Sequence, residues 1–465
     1  MSNCPSVPQE KEVELEVEEE EEESPRSSKP SSQMSISSST QELAELIDLH
    51  LGELRPKDPA WRVADSPISG RGIFANRDIA AGEELFREHT LLVGPTAHRS
   101  TNLRTCTLCY RLIPGSTDPE VICPAGCGLP VCSDCRTSPR HDLECKLFRK
   151  WRPLESQRIE PRALRILSVV RCFFLDEPAR KLLYAMQANM DRYYMQEVQR
   201  AADCFEHFPR EQDMLDYFYR TICAFNTNAF ESRSSVDGHE VLVRALFPLA
   251  GLLNHQCTPN AAHHFENGET IVVCATERIP AGGEITMSYA KLLWSTLARK
   301  IFLGMTKHFM CKCVRCQDPT ENGTYLSALF CREQGCRGLV IPVQTRTLQP
   351  DWRCITCENV FPHAKMAKYQ DFALNTINNR INSCSVQDMI HFINELCPRF
   401  CPSSNYVLIE AKLNVIWRMT RFDREEYSPE EMGHMDRYRE EVLAILHKLG
   451  AGECTLKKLI TGEIQ

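Results

Sequence analysis

Fifteen of the 24 cysteines fall in short-spaced groups or in a motif that completes one, and this spacing restricts the possible folds more than any other feature. The first group runs Cys106-x2-Cys109, Cys123-x3-Cys127, Cys132-x2-Cys135 and His141-x3-Cys145. A two- or three-residue gap lets one tight turn offer two ligands to one ion, and Zn2+ takes four Cys or His ligands in a tetrahedron. Eight ligands therefore make two zinc sites, and a segment of ~40 residues with so little apolar surface needs them to fold. Spacing leaves open which pairs share an ion. Cys311-x-Cys313-x2-Cys316 supplies three ligands, and Cys257 is the candidate for the fourth, which would pin the segment after residue 290 against the turn at 254–260. Cys331-x4-Cys336 with Cys354-x2-Cys357 has the form of a zinc ribbon around a hairpin containing Val340-Ile341-Pro342. About four ions are expected in all, each structural, because no group shows an open position or a neighbouring carboxylate base.

The single cysteines, such as Cys172, Cys204, Cys223 and Cys274, sit in apolar stretches and read as core thiols. Grouped ligands and no visible leader point to a reducing compartment, so an intracellular address, cytoplasmic or nuclear, is expected. Apolar runs such as 245–253 fall short of the ~20 residues a membrane span needs. The net charge of −8 is concentrated: residues 1–40 hold ten Glu against Lys11, Arg26 and Lys29, so the rest is close to neutral. A neutral body without the usual recognition helix between ligand pairs argues against sequence-specific nucleic-acid binding.

Residues 1–40, with their Glu run and Ser cluster, read as a disordered tail. Ser39 with Glu42 forms a capping-box pattern ahead of Leu43, Leu46 and Ile47, which predicts a short amphipathic helix. Strand-and-turn character covers 61–93, with Ile73-Phe74-Ala75 and Leu85-Phe86, and returns at 241–289 with Ile271-Val272-Val273 and Ile285-Thr286-Met287. Residues 158–230 read as mostly helical, as does the stretch after the ribbon, where Ile409, Leu413 and Ile416 share a face. The expected fold class is α+β and multidomain, a β-rich core split by a zinc finger and a helical insertion.

Several motifs converge on one family. Gly70-Arg71-Gly72, Asn254-His255-Gln256-Cys257-Thr258-Pro259-Asn260, and Gly283-Glu284-Ile285-Thr286-Met287-Ser288-Tyr289 followed by Cys-x-Cys-x2-Cys resemble a SET domain with its post-SET zinc element. The block at 106–145 resembles a MYND finger inserted into it. The order resembles the SET and MYND domain-containing protein lysine methyltransferases, and the added ribbon is similar to their arthropod-specific branch. The resemblance divides the chain into a tail (1–40), the first part of the SET domain (58–105), the MYND finger (106–145), a helical insertion (146–245), the second part of the SET core (246–290), a post-SET element (291–317) and a ribbon with C-terminal helices (318–465).

The activity this implies is methyl transfer from S-adenosylmethionine to a lysine of a histone or other protein. A lysine ammonium of pKa ~10.4 must first lose its proton, at about 4 to 5 kcal/mol at pH 7, so positioning and desolvation do most of the work. On the resemblance, Tyr289 is the catalytic tyrosine. Asn254 and His255 hold the amino-acid end of the cofactor, Ser69, Gly70, Arg71 and Gly72 form the loop against it, and Phe309 packs on its adenine. Three positions depart from the family pattern: Gln256 stands for the usual Ser, Lys307 stands where a second channel aromatic is common, and Cys127 fits the finger spacing least well. The alternative function is a catalytically silent adaptor that binds proline-rich or other peptides through the finger and the C-terminal helices. A monomer is expected.

Overall fold

The computed structural model describes residues 39–96, 105–113, 122–154, 167–236, 239–420 and 427–463. The acidic segment up to residue 38 lies outside the described residues. Ser39 accepts a hydrogen bond from Glu42 N at 3.1 Å and caps helix Thr40–Leu51, which buries Leu43, Ile47 and Leu51 on one stripe.

Ten strands build the core: β1 (Trp61–Asp65), β2 (Arg71–Ala75), β3 (Glu84–His89), β4 (Leu92–Pro95), β5 (Phe230–Val236), β6 (His239–Leu246), β7 (Asn254–His255), β8 (Ala261–Glu266), β9 (Thr270–Ala275) and β10 (Glu284–Met287). They pair as three small sheets in the orders β1-β2-β10-β7, β3-β9-β8 and β4-β6-β5. Ile73, Ala75, Phe86, Val243, Ala245, Ile271, Val273 and Ile285 meet in one buried core between them. Most pairings are antiparallel; β7 and β10 run parallel, setting Asn254 beside Thr286 and His255 beside Met287. That contact brings two motifs about thirty residues apart into one site.

Strand character, expected from 241, begins already at Phe230: residues 230–246, at the end of the stretch assigned to the helical insertion, form the β5–β6 hairpin, to which β4 adds. Val241, Val243 and Ala245 alternate inward along β6, the period of two expected there, and β5 is added by pairing with that strand from Phe230 to Val236. Among the described residues, the insertion upstream is mainly helical, with Glu177–Ala185, Arg192–Ala202 and Gln212–Asn228. The ribbon strands β11 (Leu329–Phe330), β12 (Leu339–Pro342), β13 (Trp352–Cys354) and β14 (Val360–Phe361) form one antiparallel sheet. They share a core with helices Tyr406–Thr420 and Pro429–Lys448 through Trp352, Val340, Ile409, Ile416 and Val442. Among the described residues no helix is long and apolar enough to cross a membrane.

Candidate functional site

A cavity of about 770 Å³ opens where the turn before β2, strand β7, the end of β10 and the segment after helix Thr296–Lys307 meet. Ser69, Gly70, Arg71, Asn254, His255, Tyr289 and Phe309 all line it. Gly72 does not, but it fixes the wall behind it. Gly70 takes φ +54, a left-handed conformation that suits glycine, and an added Cβ there would meet open space.

At Gly72 the constraint is contact, since a Cβ would stand 2.5 Å from Glu284 Oε1 and 3.1 Å from Asn254 Nδ2. Those atoms form the hub of the site. Glu284 Oε1 accepts from Ser66 Oγ at 2.7 Å and from Asn254 Nδ2 at 2.8 Å. The same Asn254 amide faces Ser69 O and Arg71 O at 3.2 Å each, so it holds the glycine turn in place. Gly72→Ala should therefore lose about 1 to 3 kcal/mol of stability and open the Asn254–Glu284 bond, with denaturant melts and ligand titration as the checks. Unchanged stability would mean that the carboxylate has room to move aside.

Tyr289, His255 and Phe309 cluster at the other wall. The ring centroids of His255 lie 5.3 Å from Tyr289 and 5.8 Å from Phe309. Tyr289 OH donates to Leu253 O at 2.6 Å, and Tyr289 N donates to His255 Nδ1 at 3.0 Å. With Nδ1 accepting, the ring proton sits on Nε2, which faces Cys257 Sγ at 3.2 Å. Burial lowers the His255 pKa to about 4, so the ring is neutral at pH 7. Burial, helped by the Glu284 charge, pushes the Tyr289 phenol well up, so it keeps its proton. Of the departures, Gln256 and Lys307 also line the cavity.

Sequence reading missed Glu88. It is fully buried, and its carboxylate accepts from Leu249 N at 2.7 Å and Ala250 N at 2.8 Å. It thereby holds the turn that feeds β7. Its neighbours Arg87 and His89 give no local sign of burial, but once buried a carboxylate must find donors.

Four groups of Cys and His ligand atoms converge, each within 4.8 Å: Cys106, Cys109, Cys132, Cys135; Cys123, Cys127, His141, Cys145; Cys257, Cys311, Cys313, Cys316; and Cys331, Cys336, Cys354, Cys357. Sulfur separations are 3.7 Å for Cys109–Cys132, 3.9 Å for Cys123–Cys145, 3.9 Å for Cys257–Cys311 and 3.7 Å for Cys331–Cys357. A tetrahedron with zinc–sulfur arms of about 2.3 Å has edges of about 3.8 Å, so the donor sets fit that ion. The first two groups interleave along the chain, which spacing had left open, and Cys127 is a fully buried member of the second. Beside the third group Arg299 Nε points to Cys257 Sγ at 3.2 Å, and Arg299 Nη1 pairs with buried Glu321 at 2.9 Å. A guanidinium there would offset the negative charge of four thiolates gathered on an ion.

The SET domain family matches residues 70–290. The chain is 94% identical over 437 residues to the SET domain-containing protein SmydA-8, isoform B, of Drosophila melanogaster, covering 94% of this chain and 98% of that protein. It is 27% identical over 289 residues to the histone-lysine N-methyltransferase SMYD3 of Mus musculus, covering 56% of this chain and 61% of that one. It is likewise 27% identical over 294 residues to the N-lysine methyltransferase SMYD2-B of Xenopus laevis, covering 55% and 61%. Among solved structures, Rubisco LSMT bound to AdoMet matches at 10% identity over 91% of this chain and 95% of that one, with a TM-score of 0.34, too low to carry fold or ligand across. The matched stretch begins at the Gly70 turn and ends just after Tyr289, and a relative is nearly identical along almost the whole length, so the chain belongs to the SET domain family, within its SET and MYND domain-containing group.

Proposed function

We propose that this chain transfers a methyl group from S-adenosylmethionine to the ε-amine of a lysine in a protein substrate. The carrying observation is the convergence of Ser69, Gly70, Arg71, Asn254, His255, Tyr289 and Phe309 on one cavity. Relatives named as histone-lysine and N-lysine methyltransferases support the reading, and histone and non-histone lysines both fall within it.

The lining suits such a donor. Its volume lies in the range of small-molecule sites, roughly 300 to 1,000 Å³. Arg71 offers a cation to a carboxylate, the Phe309 ring a stacking face, and the turn at Gly70 exposed backbone. When bound, the cofactor supplies a methyl carbon activated by a sulfonium. The chain's own part is positional: Tyr289, bonded to Leu253 O, turns its oxygen lone pairs to the acceptor amine, and neutral His255 fixes the tyrosine backbone. Each cysteine cluster is read as one structural zinc, so elemental analysis should find about four per chain. The interleaved pair is read as the MYND finger, with proline-rich peptides as its partner class.

Tyr289→Phe tests the reading. Calorimetric affinity for S-adenosylhomocysteine should hold, while labelled methyl incorporation into protein extract should fall by about 10²- to 10³-fold. Undiminished incorporation would remove the tyrosine from its role.

A further inference from the structure

A cavity proposed to hold a sulfonium and admit a protonated lysine carries three cations, Arg71, Lys307 and Lys312, beside Cys311 and Cys313 of the third cluster, and among the described residues no Asp or Glu lines it. Lys307 is the unusual member. It ends helix Thr296–Lys307, and His308 at φ 60 breaks the helix so that Phe309 turns into the cavity. The Lys307 ammonium donates to Thr227 O at 2.7 Å and stands 5.5 Å from the centroid of the Tyr289 ring. A carbonyl acceptor and an aromatic face together form a recognition site for an alkylammonium. The chain fills that site with its own side chain. Burial, reinforced by the Arg244 charge, lowers the Lys307 pKa to about 8, which leaves it mostly charged at neutral pH.

We propose that Lys307 is the resident occupant of the acceptor channel: its ammonium holds the place beside Tyr289 that an incoming lysine would take, and its charge makes the cavity discriminate against cationic occupants. The inference rests on the methyl-transfer reading and specifies the charge selectivity of that same site. A substrate lysine then enters only once Lys307 has swung away from Thr227. A donor that is cationic at the reacting position binds less well than a ligand neutral there, because two like charges in one desolvated cavity repel.

Three ligands of the same scaffold separate charge from shape: S-adenosylmethionine carries a sulfonium, sinefungin an ammonium at the equivalent position, and S-adenosylhomocysteine a neutral thioether. Titration calorimetry of the full chain with each is the experiment. Lys307→Met keeps an apolar stem and removes the charge. It should tighten the two cationic ligands by about tenfold or more and leave S-adenosylhomocysteine within about threefold. Lys307→Gln, neutral but still able to donate to Thr227 O, should behave like Met, and Lys307→Arg should keep the wild-type ratio. If the affinities of all three ligands shift together, or none shifts, in the neutral variants, the charge role is overturned and Lys307 is only a wall of the cavity. Absence of binding by all three ligands in wild type and variants alike would remove the methyl-transfer reading, and this inference with it.

Discussion

Cys257→Ser is expected to abolish binding of S-adenosylhomocysteine and to lower the metal content by one equivalent. The Cys257 sulfur lies 3.4 Å from that of Cys316 and 3.9 Å from that of Cys311, and the same sulfur meets His255 Nε2 and Arg299 Nε, each at 3.2 Å. One metal site therefore joins the turn that carries Asn254 and His255 to the segment that carries Phe309. Structural zinc contributes about 10 to 16 kcal/mol of apparent binding energy in small finger domains, so a site with one ligand lost is not expected to fill. Without it, buried Arg299 and Arg315 would share a single carboxylate, Glu321, with no thiolate charge beside them. The wall bearing Phe309 would then come loose. Elemental analysis, thermal unfolding and ligand titration on the same preparation check this. A variant that keeps its full zinc content and its ligand affinity would show that Cys257 is not the fourth ligand.

The second large effect is expected at Arg171, far from the cavity. Its Nε donates to Glu144 Oε1 at 2.7 Å, Nη2 donates to Thr107 O at 2.9 Å, and Nη1 donates to Val93 O. Glu144 stands on helix Pro139–Trp151, Thr107 between the first two cysteines of the finger, and Val93 on β4. A single buried guanidinium thus ties the finger to the core. Arg171→Met strips Glu144 of its close partner, leaving Arg140 at 3.9 Å, and orphans two carbonyls, so a loss of about 3 to 5 kcal/mol is expected. Adding Glu144→Gln should recover part of it, because the neutral amide no longer buries a charge. Denaturant unfolding of the single and double variants reads both. A loss below about 1 kcal/mol for the single change would mean that the finger is held by apolar contacts such as those of Phe148 and Trp151.

Much of the site was legible in residue order. The Gly70 turn, Asn254, His255, Tyr289 and Phe309, each singled out by its motif, line a common cavity. Cys257 was a candidate ligand because three cysteines at 311–316 needed a fourth, and its sulfur does converge on theirs. Glu88 was not legible, because nothing local to β3 says that its carboxylate will meet the amides of Leu249 and Ala250, far along the chain. Strand character was legible in β6 from 241, whereas β5 was not, because Phe230–Val236 follows a long helical stretch without a break and owes its extended form to pairing with β6.

The chain order alone determined what depends on neighbours within a few residues: which cysteines serve as paired ligands, where turns need glycine, and which stripes become helices, since these follow from backbone geometry and ligand reach. Tertiary structure alone decided which pairs share an ion, that Arg171 locks the finger down, and that the Lys307 ammonium stands against the Tyr289 ring. Each of these turns on a side chain meeting a group from a distant part of the chain, and only the closed fold sets those distances.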